Sequence, residues 1–192
     1  MNKHRHTTAR VIVAAMVLVA ALAPPAAAQW KKLPDPVIQQ KVATVVTDSQ
    51  RIRNIERDAI DAFIASLKAS VCVKSHPQGL PLVGSFGLAL MNSRTKADQS
   101  LPNELGSAFR GFLSIRPAPP IPGKQGELNG ESKINEHFIR ETNDSRAAGG
   151  GISQLMGCPE VKQTQPKLDA LRNQAKDALL NMMRNATQNA FK

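Results

Sequence analysis

Between residues 37 and 69, apolar side chains return at helical spacing: Ile38, Val42, Val45, Ile52, Ile55, Ala59, Phe63 and Leu67. A second stripe near the C-terminus runs Leu168, Leu171, Ala175, Leu179, Met182 and Ala186, and Pro166 suits the first position of its helix. An apolar helix face must be covered, and two such faces in one chain cover each other most simply. The pattern therefore predicts a mostly α domain in which a long N-terminal and a C-terminal amphipathic helix pack together. Arg51, Arg53, Arg57, Asp58 and Asp61 are assigned to the polar side of the first helix, and Lys167, Arg172, Lys176 and Arg184 to that of the last. Residues 42–47 carry a competing signal. They are rich in β-branched side chains, and Thr47 and Gln50 have capping-box spacing, so a short strand followed by a helix from Asp48 is the alternative to one helix of roughly 50 Å.

The middle of the chain reads as irregular and Pro/Gly-rich. Residues 82–91 form an apolar run broken by Gly84 and Gly87, and residues 92–100 a polar loop. A helix is expected over 102–115, with Leu105, Ala108, Phe109, Phe112 and Leu113 on one face. A proline/glycine-rich connector is expected over 116–130, a short helix over 132–141, and a flexible loop over 142–151, which ends Ala-Ala-Gly-Gly-Gly.

The N-terminus reads as an address. Lys3, Arg5 and Arg10 precede an apolar run from Val11 to Ala23; Pro24 and Pro25 end it, and Ala26-Ala27-Ala28 follows. A basic start, a short apolar segment and small residues at the cut are the marks of a secretory signal peptide. The run falls short of the ~20 apolar residues that span a bilayer, so no stable membrane span is expected. The reading is a cleaved leader over 1–28, a single domain over 29–192, and a periplasmic or secreted location. Outside the cytoplasm two cysteines normally pair. Cys72 and Cys158 are the only two, and a bridge between them would constrain the unfolded chain by up to about 4–5 kcal/mol.

The formal charge is +10 over the whole chain. A basic surface in that compartment suits an envelope or secretion-machinery protein with an acidic face, or an anionic envelope polymer. Nucleic acid is excluded as a partner by compartment and by the aromatic inventory. Tyr is absent and Trp30 is the only Trp, so stacking platforms are scarce.

Candidate chemistry is sparse. Glu131-Ser132, Asn135 and the later run Gly149-Gly150-Gly151-Ile152-Ser153-Gln154-Leu155-Met156 together resemble the lytic transglycosylase family, in which a Glu followed by Ser is the catalytic acid. The resemblance implies peptidoglycan cleavage with Glu131 as general acid, a role that needs a carboxyl in an apolar pocket. Read from the residues alone, the stretch is an acidic exposed loop. Cys72, His76, His137 and Cys158 could supply two thiolates and two imidazoles to a zinc ion. No Cys-x-x-Cys-His, Gly-x-Ser-x-Gly or phosphate-binding glycine loop occurs, and no cofactor is expected. The leading expectation is an exported, non-catalytic helical interaction or accessory subunit of the cell envelope. A peptidoglycan-cleaving enzyme using Glu131 is one alternative. The other is a small-ligand carrier with a pocket lined by residues 82–91 and 105–113.

Overall fold

The computed structural model describes residues 33–114 and 125–191. The expected leader over 1–28 and the polyproline run over 116–122 lie outside them. Four long helices dominate: α1 (Asp35–Ala69), α3 (Gly79–Ser114), α4 (Gln125–Gly149) and α6 (Thr164–Gln188). Between them lie α2 (Val71–Ser75), a 3₁₀ turn (Gly150–Leu155) and α5 (Pro159–Lys162). No strand occurs among the described residues.

Helix α1 is the single long helix rather than the strand-then-helix alternative. Pro34 and Pro36 set its first turn, and Asp35 there faces the positive end of the helix dipole. The β-branched stretch stays helical because Val42 and Val45 are buried in the core, and tertiary burial outweighs a propensity deficit of a few tenths of a kcal/mol per residue. The chain leaves α1 through Ser70, whose hydroxyl accepts from the Val73 N–H and caps α2. It turns back at Gly79. A Cβ built there would stand 1.9 Å from the Val73 carbonyl oxygen, so only glycine fits.

Helix α1 packs on α3, α3 on α4, α4 on α6, and α6 back on α1. Neighbours run antiparallel. Arg94 of α3 meets Asp61 of α1 while Asp98 meets Arg53; Glu104 meets His137 while Ser93 meets Asp144; Glu131 of α4 meets Arg184 of α6 while Ser145 meets Arg172; and Lys41 meets the Asn189 carbonyl at one end of the remaining pair. The described helices thus form an up-down-up-down four-helix bundle. The expected packing of the N-terminal helix on the C-terminal helix is present.

The irregular middle is corrected. The apolar run over 82–91, the polar loop over 92–100 and the expected helix from 102 as far as Ser114 are parts of one helix, α3. The residues of the 116–130 connector from Gln125 onward, the short helix over 132–141 and the flexible loop over 142–149 are parts of another, α4, and Gly150 and Gly151 open the 3₁₀ turn. Glycine and proline signals were overridden by packing: Gly87 seats against Ile64 and Gly106 against Val46, where a side chain would hold the helices apart. Pro102 lies inside α3 and removes the amide that would serve the residue-98 carbonyl, a cost the flanking buried Leu101 and Leu105 offset.

Cys72 of α2 and Cys158, just before α5, form the expected disulfide, with sulfurs 2.03 Å and Cα atoms 5.6 Å apart. It ties the α1–α3 connection to the α4–α6 connection at one end of the bundle.

The core divides in two. Beside the disulfide, Ile60, Ile64, Leu67, Val83, Phe86 and Leu168 form one apolar cluster. Toward the other end, Val45, Leu105, Phe109, Ile134, Leu179 and Met183 form a second. What separates them is not apolar.

Candidate functional site

At mid-height each long helix turns polar residues inward. The buried faces run Val45, Ser49, Arg53, Glu56, Ile60 on α1; Leu90, Arg94, then Leu101 on α3, with half-buried Asp98 between; Ile134, Phe138, Glu141, Ser145 on α4; and Leu168, Arg172, Ala175 on α6. The spacing of three and four residues never breaks, so the polar residues occupy core positions and not the outer face.

Arg53 is the centre of this layer. It is 1% exposed, and its guanidinium reaches three helices. Nε donates to Asp98 Oδ1 on α3 at 2.9 Å; Nη1 donates to Glu56 Oε2 at 2.6 Å and to Glu141 Oε2 at 3.2 Å; Nη2 donates to Glu141 Oε1 on α4. Its cationic carbon also lies 5.3 Å from the centre of the Phe138 ring, a cation–π distance. The pairing with Glu141 is bidentate, the geometry a planar guanidinium favours. Arg172 donates from Nη1 to Ser145 Oγ at 2.7 Å, and Arg94 lies 3.5 Å from Asp61 and 3.6 Å from Asp98. Three arginines thus face Glu56, Asp98 and Glu141, and Asp61 at the rim of the layer is a fourth carboxylate, paired with Arg94.

The layer is imperfectly satisfied. Glu56 Oε1, Arg94 Nε and Arg172 Nε are buried without hydrogen-bond partners. Burial pushes the Glu56 carboxyl up from 4.5 to about 7; Arg53 beside it opposes the rise and Glu141 adds to it. For Arg53, burial works against the charge, yet Glu56, Glu141 and Asp98 outweigh it and hold the guanidinium above its usual range. Burial lowers Arg172, with Glu141 and Glu56 pulling the other way. A small cavity of about 10 Å³, the room one water needs, lies in the layer between Ile60, Leu90, Ser93, Arg94, Glu141 and Arg172.

This layer was missed from sequence. Arg53 and Arg172, read as polar-face residues, point into the core. Following the apolar letters alone skips them, but Ser49, Arg53 and Glu56 stand at the same three- and four-residue intervals between Val45 and Ile60, and that continuity is the signal.

Of the residues singled out from sequence, Cys72 and Cys158 are brought together as the disulfide, and the rest do not share a site. Glu131, near the start of α4, accepts from Arg184 of α6 at 2.9 Å. The Gly149–Met156 run begins at the far end of α4, eighteen residues or roughly 27 Å along the helix axis from Glu131, so the two halves of the transglycosylase-like pattern do not share a site. The thiolates required for zinc are joined to each other in the disulfide. His76 ends α2, where its Nδ1 accepts from the Gln78 N–H at 3.3 Å, and His137 is buried inside α4 with Nε2 3.3 Å from Glu104 Oε1. No grouping of three metal-ligating side chains occurs among the described residues. The two segments expected to line one carrier pocket sit in opposite halves of α3, one in each apolar cluster, with the ionic layer between them.

No protein-family model matches this chain, and neither the curated proteins nor the solved structures searched contain a match.

Proposed function

We propose that the protein is exported and serves as a non-catalytic helical bundle of the cell envelope that binds another envelope protein through its surface. The observation that carries this reading is an exposed apolar stripe on α3. Leu80, Leu88 and Met91, at i, i+8 and i+11, share one outward face, and Val71 beside the start of α3 is 79% exposed. Gly84 falls on the same face with open space above it. Large apolar side chains grouped on one surface mark an interaction site more often than a solvated one. A flat helical strip with a glycine notch suits the ridge of an apolar helix from a partner. The disulfide supports the location, because such bridges persist in oxidising compartments. No described helix is long and apolar enough to cross a membrane.

Site-specific photocrosslinking in intact cells tests it. A crosslinker at Leu88 should yield one discrete adduct with an envelope protein. The same group at exposed Asn181 of α6 should yield none, and Leu80→Glu with Met91→Glu should abolish the adduct without unfolding the bundle. Equal, diffuse labelling at both positions contradicts the reading, as does uncleaved protein recovered from the cytosol with Met1 intact.

A further inference from the structure

Beside the disulfide the bundle exposes apolar side chains among cations that no carboxylate meets. Val71 stands immediately before Cys72 and Met156 two residues before Cys158, and the bridge holds the Cα atoms of those cysteines 5.6 Å apart. Val71 is 79% exposed and Met156 50%, so two apolar side chains from separate connections stand in water at one end of the bundle. Leu80, in the first turn of α3, is exposed at the same end. Stability does not require them there, since an exposed apolar side chain gains nothing from leaving water.

The charges around them have nearly one sign. The segments that build this end, residues 66–81 and 150–167, carry Lys68, Lys74, Lys162 and Lys167 against Glu160 alone, four positive charges to one negative. The chain holds fifteen acidic residues, so the other fourteen lie outside these segments. Lys68, Lys74 and Lys162 stand in the last turns of α1, α2 and α5. All four lysines are exposed, and among the described residues none is paired with a carboxylate. Lys167 Nζ lies 5.7 Å from the centre of the Phe63 ring, a contact that leaves its charge unneutralised. Along the sides of the bundle, by contrast, Arg51, Arg57, Lys133 and Arg184 each meet a carboxylate. A lysine in a last turn also faces the negative end of its helix, which accounts for the cations but not for the missing acids.

We propose that this end of the bundle docks on an anionic phospholipid surface, with Val71 and Met156 entering the headgroup–acyl boundary and the four lysines facing lipid phosphates. A soluble polyanion would answer the lysines and leave the apolar side chains in water. An apolar protein surface would cover those side chains and leave the lysines without counter-charge. An anionic bilayer supplies both, phosphate outside and hydrocarbon beneath. So few apolar side chains fall far short of a spanning helix, so the attachment is reversible and needs the charges as well. The site goes beyond the protein-binding reading and does not depend on it, because Leu88 and Met91 lie further along α3.

The test uses the mature protein with its disulfide intact, so that the apolar leader adds nothing. Cosedimentation compares vesicles of phosphatidylcholine alone with vesicles holding about 30% phosphatidylglycerol, in about 0.1 M and about 0.5 M sodium chloride. Each cation near an anionic surface is worth about fivefold in affinity, so a net charge of three should favour the anionic vesicles on the order of 100-fold at low salt. Most of that preference should vanish at high salt. Lys74→Gln with Lys162→Gln should weaken binding about 25-fold. Val71→Asn with Met156→Gln should weaken it at both salt concentrations, and Met91→Gln should leave it unchanged. In the wild type, spin-labelled lipid should broaden the methyl signal of Met156 and spare that of Met91, about 18 Å along α3 from Gly79. Equal partition onto both vesicle types, no sedimentation with either, or equal broadening of the two methionines overturns the proposal. Unchanged binding by the Val71 and Met156 double variant overturns it too, and marks a face for soluble polyanions instead. Should a variant fail to fold, the wild-type vesicle and methyl arms still decide. Crosslinking at Leu88 is read separately, so failure here and failure of the protein-partner reading are told apart.

Discussion

The two apolar clusters and the ionic layer between them occupy the same stripe positions on the same four helices, yet they hold the bundle by different physics. In the clusters, Leu105, Leu179 and their neighbours contribute by leaving water, a gain that is roughly additive and insensitive to pH. In the layer, each charge is tolerable only while opposite charges face it, because desolvating an ion costs several kcal/mol that attraction to its neighbours must return, and Glu56, the carboxyl that burial penalises most, is instead pushed toward its neutral form. The difference teaches where this bundle is conditional. The layer contributes little net stability over an apolar replacement, but it sets which helices may sit opposite one another, since a shifted register would strand Arg53 away from Asp98 and Glu141.

The largest expected effect breaks that contrast open. Arg53→Met removes the shared cation and strands three carboxylates, and should destabilise the fold by about 3–5 kcal/mol at neutral pH. The loss should shrink in acid, where carboxyls protonate. Leu105→Ala in the apolar cluster should cost about 2–5 kcal/mol at every pH. Chemical denaturation of both variants at about pH 5 and about pH 8 checks this, and parallel pH behaviour would remove the distinction between the regions.

Next in size is the disulfide, which braces only one end. Replacing Cys72 and Cys158 by Ala together should cost about 2–5 kcal/mol by lengthening the unfolded chain's reach. Amide exchange should rise most around Leu67, Val73 and Leu155, beside the bridge, and least around Leu179 and Met183.

The pH dependence of the wild type sharpens the comparison further. The Glu56 carboxyl rises from 4.5 in the unfolded chain to about 7 when folded, so between those values the native state holds more protons. The stability tied to its protonation is complete below the unfolded value and is lost as pH climbs through the folded one, about 3 kcal/mol in all. Glu56→Gln should flatten this slope. The smallest effect is at the surface: Glu131→Gln breaks a partly exposed pair with Arg184 and should shift stability by less than about 1 kcal/mol in a salt-sensitive way. A larger loss there would mean that polar pairs outside the layer carry the register as well.

How far the sequence foretells this molecule depends on which residues carry the signal. Helix α1, helix α6, their pairing and the disulfide were legible because apolar periodicity and a lone cysteine pair are local statements. The length of α3 and α4 was not, because Gly87, Pro102 and Gly106 are breakers in isolation and become tolerable only against Ile64 and Val46 of α1 and beside the buried Leu101 and Leu105. The ionic layer was the least legible part. Arg53 and Arg172 look solvated until the helices that supply Asp98, Glu141 and Ser145 are in place, and those partners lie 27 to 88 positions away in the chain.

The protonation of Glu56 inside the folded bundle bears most directly on this account. Carbon-13 NMR of the Glu56 carboxyl, assigned by loss of its signal in Glu56→Gln, should show a titration midpoint near 7 in the native protein. A midpoint at the ordinary glutamate value of about 4.3 would mean that the carboxyl is hydrated or fully paired, and that the layer is a plain ion-pair network with no reserve of charge to exchange.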